Sequence, residues 1–188
     1  MRHALSENAR RLLQSRYLKR APGGDAVESP EQMFERVARN VAGAEEKYPG
    51  GPPAREVAGQ FLDAMLALDF LPNSPALMNA GRELQQLAAC FVLGVEDSIE
   101  SIFETLKHTA RIHQSGGGTG FSFSHLRPRG DYVSTSGGQA SGPLSFIRIF
   151  NEATEAINQG GFRRGANMAI LRVDHPDVEE FVRAKEQE

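Results

Sequence analysis

Cys90 is the single cysteine among 188 residues, and its surroundings are compatible with chemistry. It lies in a short apolar run, and the glycine cluster Gly116-Gly117-Gly118-Thr119-Gly120 follows after one predicted helix. Glycine lets backbone N–H groups approach an anion closely, and a thiolate is a nucleophile and a reductant. The pattern fits a phosphorylated substrate held beside a redox-active sulfur. From the residues alone, a small buried cysteine is the commoner role for Cys90, and a plain tight turn explains the glycine cluster as well as a phosphate cradle does.

The remaining candidate residues match neither the common nucleotide-binding motifs nor a metal site. The glycine cluster precedes a predicted strand, so it fits neither a Walker A motif nor a dinucleotide fingerprint. The five histidines share no metal-ligand spacing, and we assign no metal site. Guanidinium groups suit phosphate oxygens, although solvated loop charge explains each loop arginine as well. The loop arginines are Arg127, Arg129, Arg163 and Arg164.

The predicted secondary structure changes near residue 70 from helices alone to alternating strands and helices. Three helices are predicted before it, at 5–20, 29–47 and 54–68. After it the pattern predicts buried strands at 71–78 and 88–93, a helix at 98–113, strands at 119–124 and 168–173, a helix at 142–158, a loop at 124–141 and a last helix from Pro176. Alternating strands and helices predict an α/β fold with a parallel sheet. The expected division is a helical segment, 1–69, and the first part of a larger α/β domain, 70–188.

Composition narrows the class of protein. A hydrophobic content of 40% with 24% charged residues is ordinary for a globular domain. The net charge of -3 argues against nucleic-acid and membrane-surface binding. No apolar run approaches the roughly 18 residues of a membrane span, and the N-terminus lacks the apolar core of a signal peptide. One cysteine excludes an internal disulfide framework and favours the reducing cytoplasm.

Five motifs occur in a recognisable order. They are Pro72-Asn73-Ser74-Pro75, Ala89-Cys90, Asp97-Ser98, the glycine cluster with Phe121, and Gln159-Gly160-Gly161-Phe162-Arg163-Arg164-Gly165-Ala166. In this order they resemble the large catalytic subunit of ribonucleotide reductases. The loops 121–128 and 173–177 are most similar to the adenosylcobalamin-dependent, or class II, branch. The resemblance implies a ten-stranded α/β barrel preceded by a helical segment, and this chain would hold the helices and the first strands.

The resemblance implies an oxidoreductase that reduces ribonucleotides to 2′-deoxyribonucleotides for DNA synthesis by a thiyl-radical mechanism. It favours a ribonucleoside diphosphate as the substrate. Ser74, Ala89, Cys90 and Gly118 would contact this substrate. Cys90 would also be one of two thiols that deliver electrons and become a disulfide. Its partner thiol, the radical-bearing cysteine and most of the barrel would lie beyond Glu188.

An allosteric site is implied in the same way. Asp97 and Arg127 would bind a nucleoside triphosphate or deoxynucleoside triphosphate effector. A specificity loop would relay the identity of the effector to the substrate. The predicted residues of this loop are Gln159, Gly160, Gly161, Arg163 and Arg164. Ser134 departs from the pattern, because the effector loop of other members often carries a basic residue.

The resemblance also implies partners. Adenosylcobalamin would serve the complete enzyme, and a thioredoxin-like or glutaredoxin-like protein would reduce the disulfide. Helices 98–113 and 142–158 match those that pair subunits, which indicates a homodimer. Neither a nucleic acid nor a membrane is expected as a partner. Two alternatives stay open: a fragment of a class I large subunit, and a nucleotide-binding or interaction module without catalysis of its own.

Overall fold

The computed structural model of the chain describes residues 4–134, 137–157 and 165–186. The chain forms two compact units, Met1–Ala89 and Cys90–Glu188. The first unit is helical and contains α1 (Glu7–Arg16), α2 (Pro30–Ala42), a 3₁₀ helix (Gly43–Lys47), α3 (Ala54–Ala67) and α4 (Ser74–Asn79). The second contains β1 (Cys90–Gly94), α5 (Ile99–Gln114), β2 (Gly118–Ser122), β3 (Tyr132–Val133), β4 (Gly138–Gln139), α6 (Pro143–Ile157), β5 (Asn167–Ile170) and α7 (Val178–Arg183).

Helix α2 is the centre of the first unit. Its start is a reciprocal capping box, in which Ser29 Oγ accepts from the Gln32 N–H at 3.2 Å and the Gln32 side chain accepts from the Ser29 N–H at 2.8 Å. The buried apolar residues around it come from several segments of the unit. They are Leu18, Met33, Phe34, Val37, Ala38, Met65, Leu77 and Ala80. The predicted helix start at Ser29 is thereby confirmed.

Helix α4 replaces the strand predicted at 71–78, and that prediction is wrong. The side chain of Asn73 caps the helix by accepting from the Ala76 N–H at 2.8 Å. Pro75 lies in the first turn, where a missing N–H leaves no hydrogen bond unmade. By packing, residues 70–89 belong to the first unit. The division at 69/70 stays a prediction.

A buried carboxylate connects α2 to the end of α4. Arg36 donates to both oxygens of Glu28, at 2.8 and 2.9 Å, and also to the carbonyls of Leu77 and Ala80. Arg82 donates to the same carboxylate at 3.2 Å. Burial alone would raise the pKa of Glu28, but hydrogen bonds and the two guanidinium charges outweigh it and lower that pKa.

The second unit is built on a three-stranded parallel sheet in the order β1-β2-β5. Helices α5 and α6 cover one face of it. The core residues on that side are Val95, Ile102, Phe121, Phe123, Leu126 and Phe150. On the other face Val92, Met168 and Ile170 are 89%, 63% and 50% exposed. The predicted α/β class with a parallel sheet is confirmed.

Three details of the second unit differ from prediction. Strand β1 is not buried, because in the described part of the chain helices cover only one face of the sheet, and Cys90 is exposed. The apolar spacing of the predicted helix 98–113 places Ile99 and Phe103 on its core-facing stripe, but both side chains are exposed. The core-facing side of α5 instead carries Thr105 and Thr109, whose hydroxyls donate to backbone carbonyls at 2.8 Å.

The remaining elements also depart slightly from the expected bounds. The loop predicted at 124–141 contains a short antiparallel hairpin of β3 and β4. The last helix begins at Val178 rather than Pro176. Among the described residues, no helix has both the length and the apolar character needed to cross a membrane.

The Glu28 cluster predicts the effect of a single neutralisation. Glu28→Gln is expected to weaken the first unit by about 3 kcal/mol, because two guanidinium groups lose their buried carboxylate. Glu35→Gln is the control on the same helix: its ion pair with Arg39 is largely exposed and contributes less than about 0.5 kcal/mol. Hydrogen exchange of the α2 amides in the full-length protein measures both. Equal protection in the two variants would contradict a stabilising role for the buried cluster.

Candidate functional site

The pairing of β1 with β2 places the thiol beside the glycine cluster. The Cα atoms of Cys90 and Gly118, the first residues of the two strands, are partners in the parallel register. Register partners in a pleated sheet project to the same face, and here it is the face without helices. A ligand on this face meets an exposed sulfur and, next to it, backbone without a side chain. The structure thus brings together two of the predicted substrate residues.

The other two predicted substrate residues, Ser74 and Ala89, lie in the first unit. Ser74 begins α4, and its Oγ is 3.0 Å from the hydroxyl of Tyr17. The carbonyl of Tyr17 accepts from Arg82 at 2.7 Å, so the tyrosine is itself held in place. The apolar spacing of the predicted helix 5–20 indicated only a core position for Tyr17. The substrate role of Ser74 and Ala89 stays a prediction.

Asp97 and Arg127, predicted together from the resemblance, form an ion pair. Arg127 Nε donates to Asp97 Oδ2 at 2.7 Å, and the Arg127 backbone N–H donates to Oδ1 at 3.3 Å. Both side chains are about one-third exposed, at 34% and 35%. The carboxylate therefore orients a guanidinium that solvent reaches. Such a pair has the polar chemistry that recognises nucleotide hydroxyls and phosphates.

The segment after β2 is anchored by a histidine that the sequence did not single out. His175 is buried; its Nε2–H donates to the Leu126 carbonyl at 2.9 Å, and its Nδ1 accepts from the Asp177 N–H at 3.1 Å. Asp177 in turn accepts from the Arg129 N–H at 2.9 Å. These contacts fix the backbone on both sides of Arg127. The motif 173–177 thus has a structural function within the second unit.

A hydrogen-bonded network joins α5, β2, β5 and α6 behind the sheet. Thr119 donates its single hydroxyl proton to Asn167 Oδ1 at 2.7 Å, so His113 Nε2 must donate to Thr119 Oγ1 at 2.8 Å. Asn167 Nδ2 continues the chain to Thr154 Oγ1 at 2.7 Å. Burial lowers the pKa of His113, which favours the neutral ring that this network requires.

Sequence reasoning missed this network, although a signal was present. Thr105, Thr109 and His113 are spaced by four residues along α5, so they share one side of the helix. That side also carries the buried Ile102. Polar residues that continue a buried apolar stripe need hydrogen-bond partners, and the neighbouring strands are the available source.

Several of the predicted allosteric residues are not described by the structure. The specificity-loop residues Gln159, Gly160, Gly161, Arg163 and Arg164 lie outside the described residues. Ser134 follows β3 in the segment predicted as a loop at 124–141. Across 4–134, 137–157 and 165–186, no three His, Cys, Asp or Glu side chains come together in an arrangement that could hold a metal ion.

The second unit has an α/β fold with a parallel sheet, and comparison with known proteins shows the family to which the chain belongs. The family model described as "Ribonucleotide reductase, barrel domain" matches residues 88–188. The model described as "Ribonucleotide reductase, all-alpha domain" matches residues 3–85. The chain belongs to the ribonucleotide reductase family, and the prediction of that family is confirmed.

Individual relatives cover nearly the whole chain. It is 50% identical over 181 residues, or 96% of its length, to the "Vitamin B12-dependent ribonucleoside-diphosphate reductase" of Mycobacterium tuberculosis. It is 42% identical, over 98% of its length, to the protein of the same name from Thermoplasma acidophilum. It is 31% identical, over 90%, to the "Ribonucleoside-diphosphate reductase subunit alpha" of Helicobacter pylori. The chain spans only 26%, 31% and 21% of these three relatives, respectively.

The close packing behind the site predicts that Gly117 cannot be enlarged. A Cβ at Gly117 would lie 2.6 Å from Ile112 Cγ2 and 2.9 Å from Phe91 Cε2. Gly117→Ala is therefore expected to destabilise the β1–β2 pair by about 1–3 kcal/mol. Gly94→Ala, where a Cβ meets nothing within 4 Å, is the control. Hydrogen exchange of the β1 and β2 amides is the measurement, and Gly117→Ala protection as high as that of the control would refute the packing argument.

Proposed function

We propose that this chain supplies part of a cobalamin-dependent ribonucleotide reductase that converts ribonucleoside diphosphates to 2′-deoxyribonucleotides. Cys90 would be one of its two reducing thiols. The observation that carries the proposal is the register of Cys90 with Gly118 on an exposed sheet face. Its second support is similarity to two relatives whose names state both vitamin B12 dependence and a diphosphate substrate.

The proposed reaction balances with two thiols. Replacing the 2′-hydroxyl of ribose by hydrogen consumes two electrons and two protons and releases one water. Two thiols provide these as they join in a disulfide, and a thioredoxin-like or glutaredoxin-like protein would reduce that disulfide afterwards. Cys90 would provide one sulfur, and the second thiol would lie outside these 188 residues, which contain no other cysteine. Adenosylcobalamin, when bound, would supply the radical chemistry that activates the ribose.

The residues of this chain would bind and orient the substrate. Gly118 and Ala89 would present backbone groups to the substrate, and Ser74 would present a hydroxyl that Tyr17 keeps in position. The exposed face of β1 and β2 leaves the sulfur of Cys90 accessible to that substrate.

The allosteric site would use the Asp97–Arg127 pair. A nucleoside triphosphate or deoxynucleoside triphosphate effector would bind beside this pair, and the specificity loop would relay its identity to the substrate. The exposed Ile99 and Phe103 on α5 and Ile149 on α6 would pair two subunits, because they are apolar and lie on the two helices expected in the dimer. A cytoplasmic location is part of the same proposal.

A second candidate is the class I large subunit, which the similarity to the Helicobacter pylori subunit alpha favours. Assay of the full-length reading frame for ribonucleotide reduction with and without adenosylcobalamin separates the two. Activity that requires the cobalamin supports the class II proposal. Activity that requires a separate radical-donating subunit instead would indicate class I, and no reduction under either condition would leave a nucleotide-binding module.

The proposed role of Cys90 predicts a specific loss. In the full-length enzyme, Cys90→Ser is expected to lower steady-state reduction by roughly 10⁴-fold or more, the scale seen when a reacting group is removed. Binding of the substrate and homolysis of the cofactor are expected to survive, because serine preserves size and backbone. Turnover and homolysis are measured on the same preparation. Normal steady-state turnover in this variant would sink the assignment.

The proposed effector pair predicts a different phenotype. Coupling between two sites typically changes an affinity about 5- to 150-fold. In Asp97→Ala, the effector-dependent change in substrate preference is expected to fall towards onefold, which means no change. The reason is that Arg127 loses the carboxylate that orients it. Asp174→Ala removes a more exposed Asp–Arg ion pair, that of Asp174 with Arg172, and is the control. The measurement is substrate preference with each deoxynucleotide, and an unchanged response in Asp97→Ala would refute the role.

A further inference from the structure

His113 has one ring nitrogen that the network behind the sheet does not use. The side chain is 4% exposed, and Nε2 is committed to Thr119. Nδ1 is also buried, and the described residues provide it with no hydrogen-bond partner. A buried acceptor without a donor costs about 1–3 kcal/mol, so an orphan of this kind calls for an explanation.

The free edge of the ring faces the backbone at Gly165. A Cβ placed on Gly165 would lie 2.8 Å from Nδ1, 2.9 Å from Cγ and 3.2 Å from Cε1 of His113. The first two distances are shorter than those of real Cβ contacts, and the ring cannot move aside without breaking its hydrogen bond to Thr119. The backbone at Gly165 therefore lies directly against the imidazole. Gly165 is also the last glycine of the motif that begins at Gln159.

The same ring is tied to the strand that carries a predicted substrate residue. Thr119, which accepts from Nε2, is the neighbour of Gly118 in β2. Its register partner Asn167 begins β5, two residues after Gly165. His113 thus has one edge on the substrate strand and the other on the backbone at Gly165.

We propose that His113 is a positioning residue for substrate choice, and that its Nδ1 edge holds the backbone at Gly165. This inference rests on the proposed function, in which the motif 159–165 relays the effector to the substrate. His113 touches neither substrate nor effector. It fixes where that motif ends relative to β2.

Two amide substitutions in the full-length enzyme separate the two edges of the ring. Glutamine places its amide near the Nε2 position and keeps a donor for Thr119, whereas asparagine places its amide near the Nδ1 position and loses that donor. His113→Gln is expected to preserve thermal stability and effector-free turnover but to reduce the effector-driven change in substrate preference at least about fivefold. His113→Asn is expected to retain more of that change and to be the less stable variant.

If His113 served folding alone, His113→Asn rather than His113→Gln would be the variant with the weaker effector response. His113→Gln, which keeps the network, would then behave like the wild type, and His113→Asn would lose stability and selectivity together. Either result overturns the inference. Hydrogen exchange near Gly165 provides a readout independent of turnover: faster exchange in His113→Gln than in His113→Asn is expected, and equal exchange would count against the contact.

Gly165→Ala tests the contact from its other side. The added methyl group is expected to displace the backbone from the ring and to reduce the effector-driven preference. An unchanged preference in Gly165→Ala would overturn the proposed contact. A wild-type enzyme that reduces no ribonucleotide would overturn the proposed function and this role with it. A responsive wild type with an unaffected His113→Gln variant would overturn this inference alone.

Discussion

The parallel pairing of β1 with β2 is the constraint on which the second unit depends. A one-residue slip in this register would turn the sulfur of Cys90 to the face covered by α5 and α6, because side chains alternate along a strand. The register is held by the close contact of Gly117 with Ile112 and Phe91, and by the Thr105 hydroxyl, which donates to the Gly94 carbonyl. The accessibility of the thiol is therefore a consequence of packing on the opposite side of the sheet.

The two faces of the sheet have different chemistry. The helix side combines an aromatic cluster, with Phe121 and Phe150 ring centroids 4.8 Å apart, and the network of His113 and Thr119. The other side has glycine backbone, the thiol and exposed apolar side chains such as Val92. Apolar side chains that remain in water contribute nothing to folding. The match to a barrel domain accounts for these exposed side chains, since closing the sheet into a barrel would enclose this face. It would also shield the proposed radical reaction from solvent.

Capping and turn residues in the sequence predicted some helices correctly and led to a wrong prediction elsewhere. Ser29, Pro30 and Gln32 specify a helix start by themselves, so α2 was predictable. Asn73 and Pro75 suit an extended turn and a helix start equally, and the choice of α4 came from packing that a single sequence does not display. A parallel sheet followed from alternating strands and helices, but the register that pairs Cys90 with Gly118 was not predicted. The exposure of Cys90 and the partners of His113 depend on which face each helix covers, which periodicity alone does not determine.

Helix α5 extends from the proposed effector pair, Asp97 and Arg127, to the proposed positioning residue His113. Asp97 and the capping residue Ser98 precede its first turn, and His113 lies in its last turn. With 16 residues the helix is about 24 Å long at 1.5 Å per residue. A regular helix packed on a sheet moves as a rigid body, so a displacement at the Asp97–Arg127 pair would be transmitted to the His113 end. Since the imidazole of His113 lies against Gly165, such a displacement would change the position of the backbone that follows the specificity loop. One helix therefore connects the proposed effector site to the proposed determinant of substrate choice.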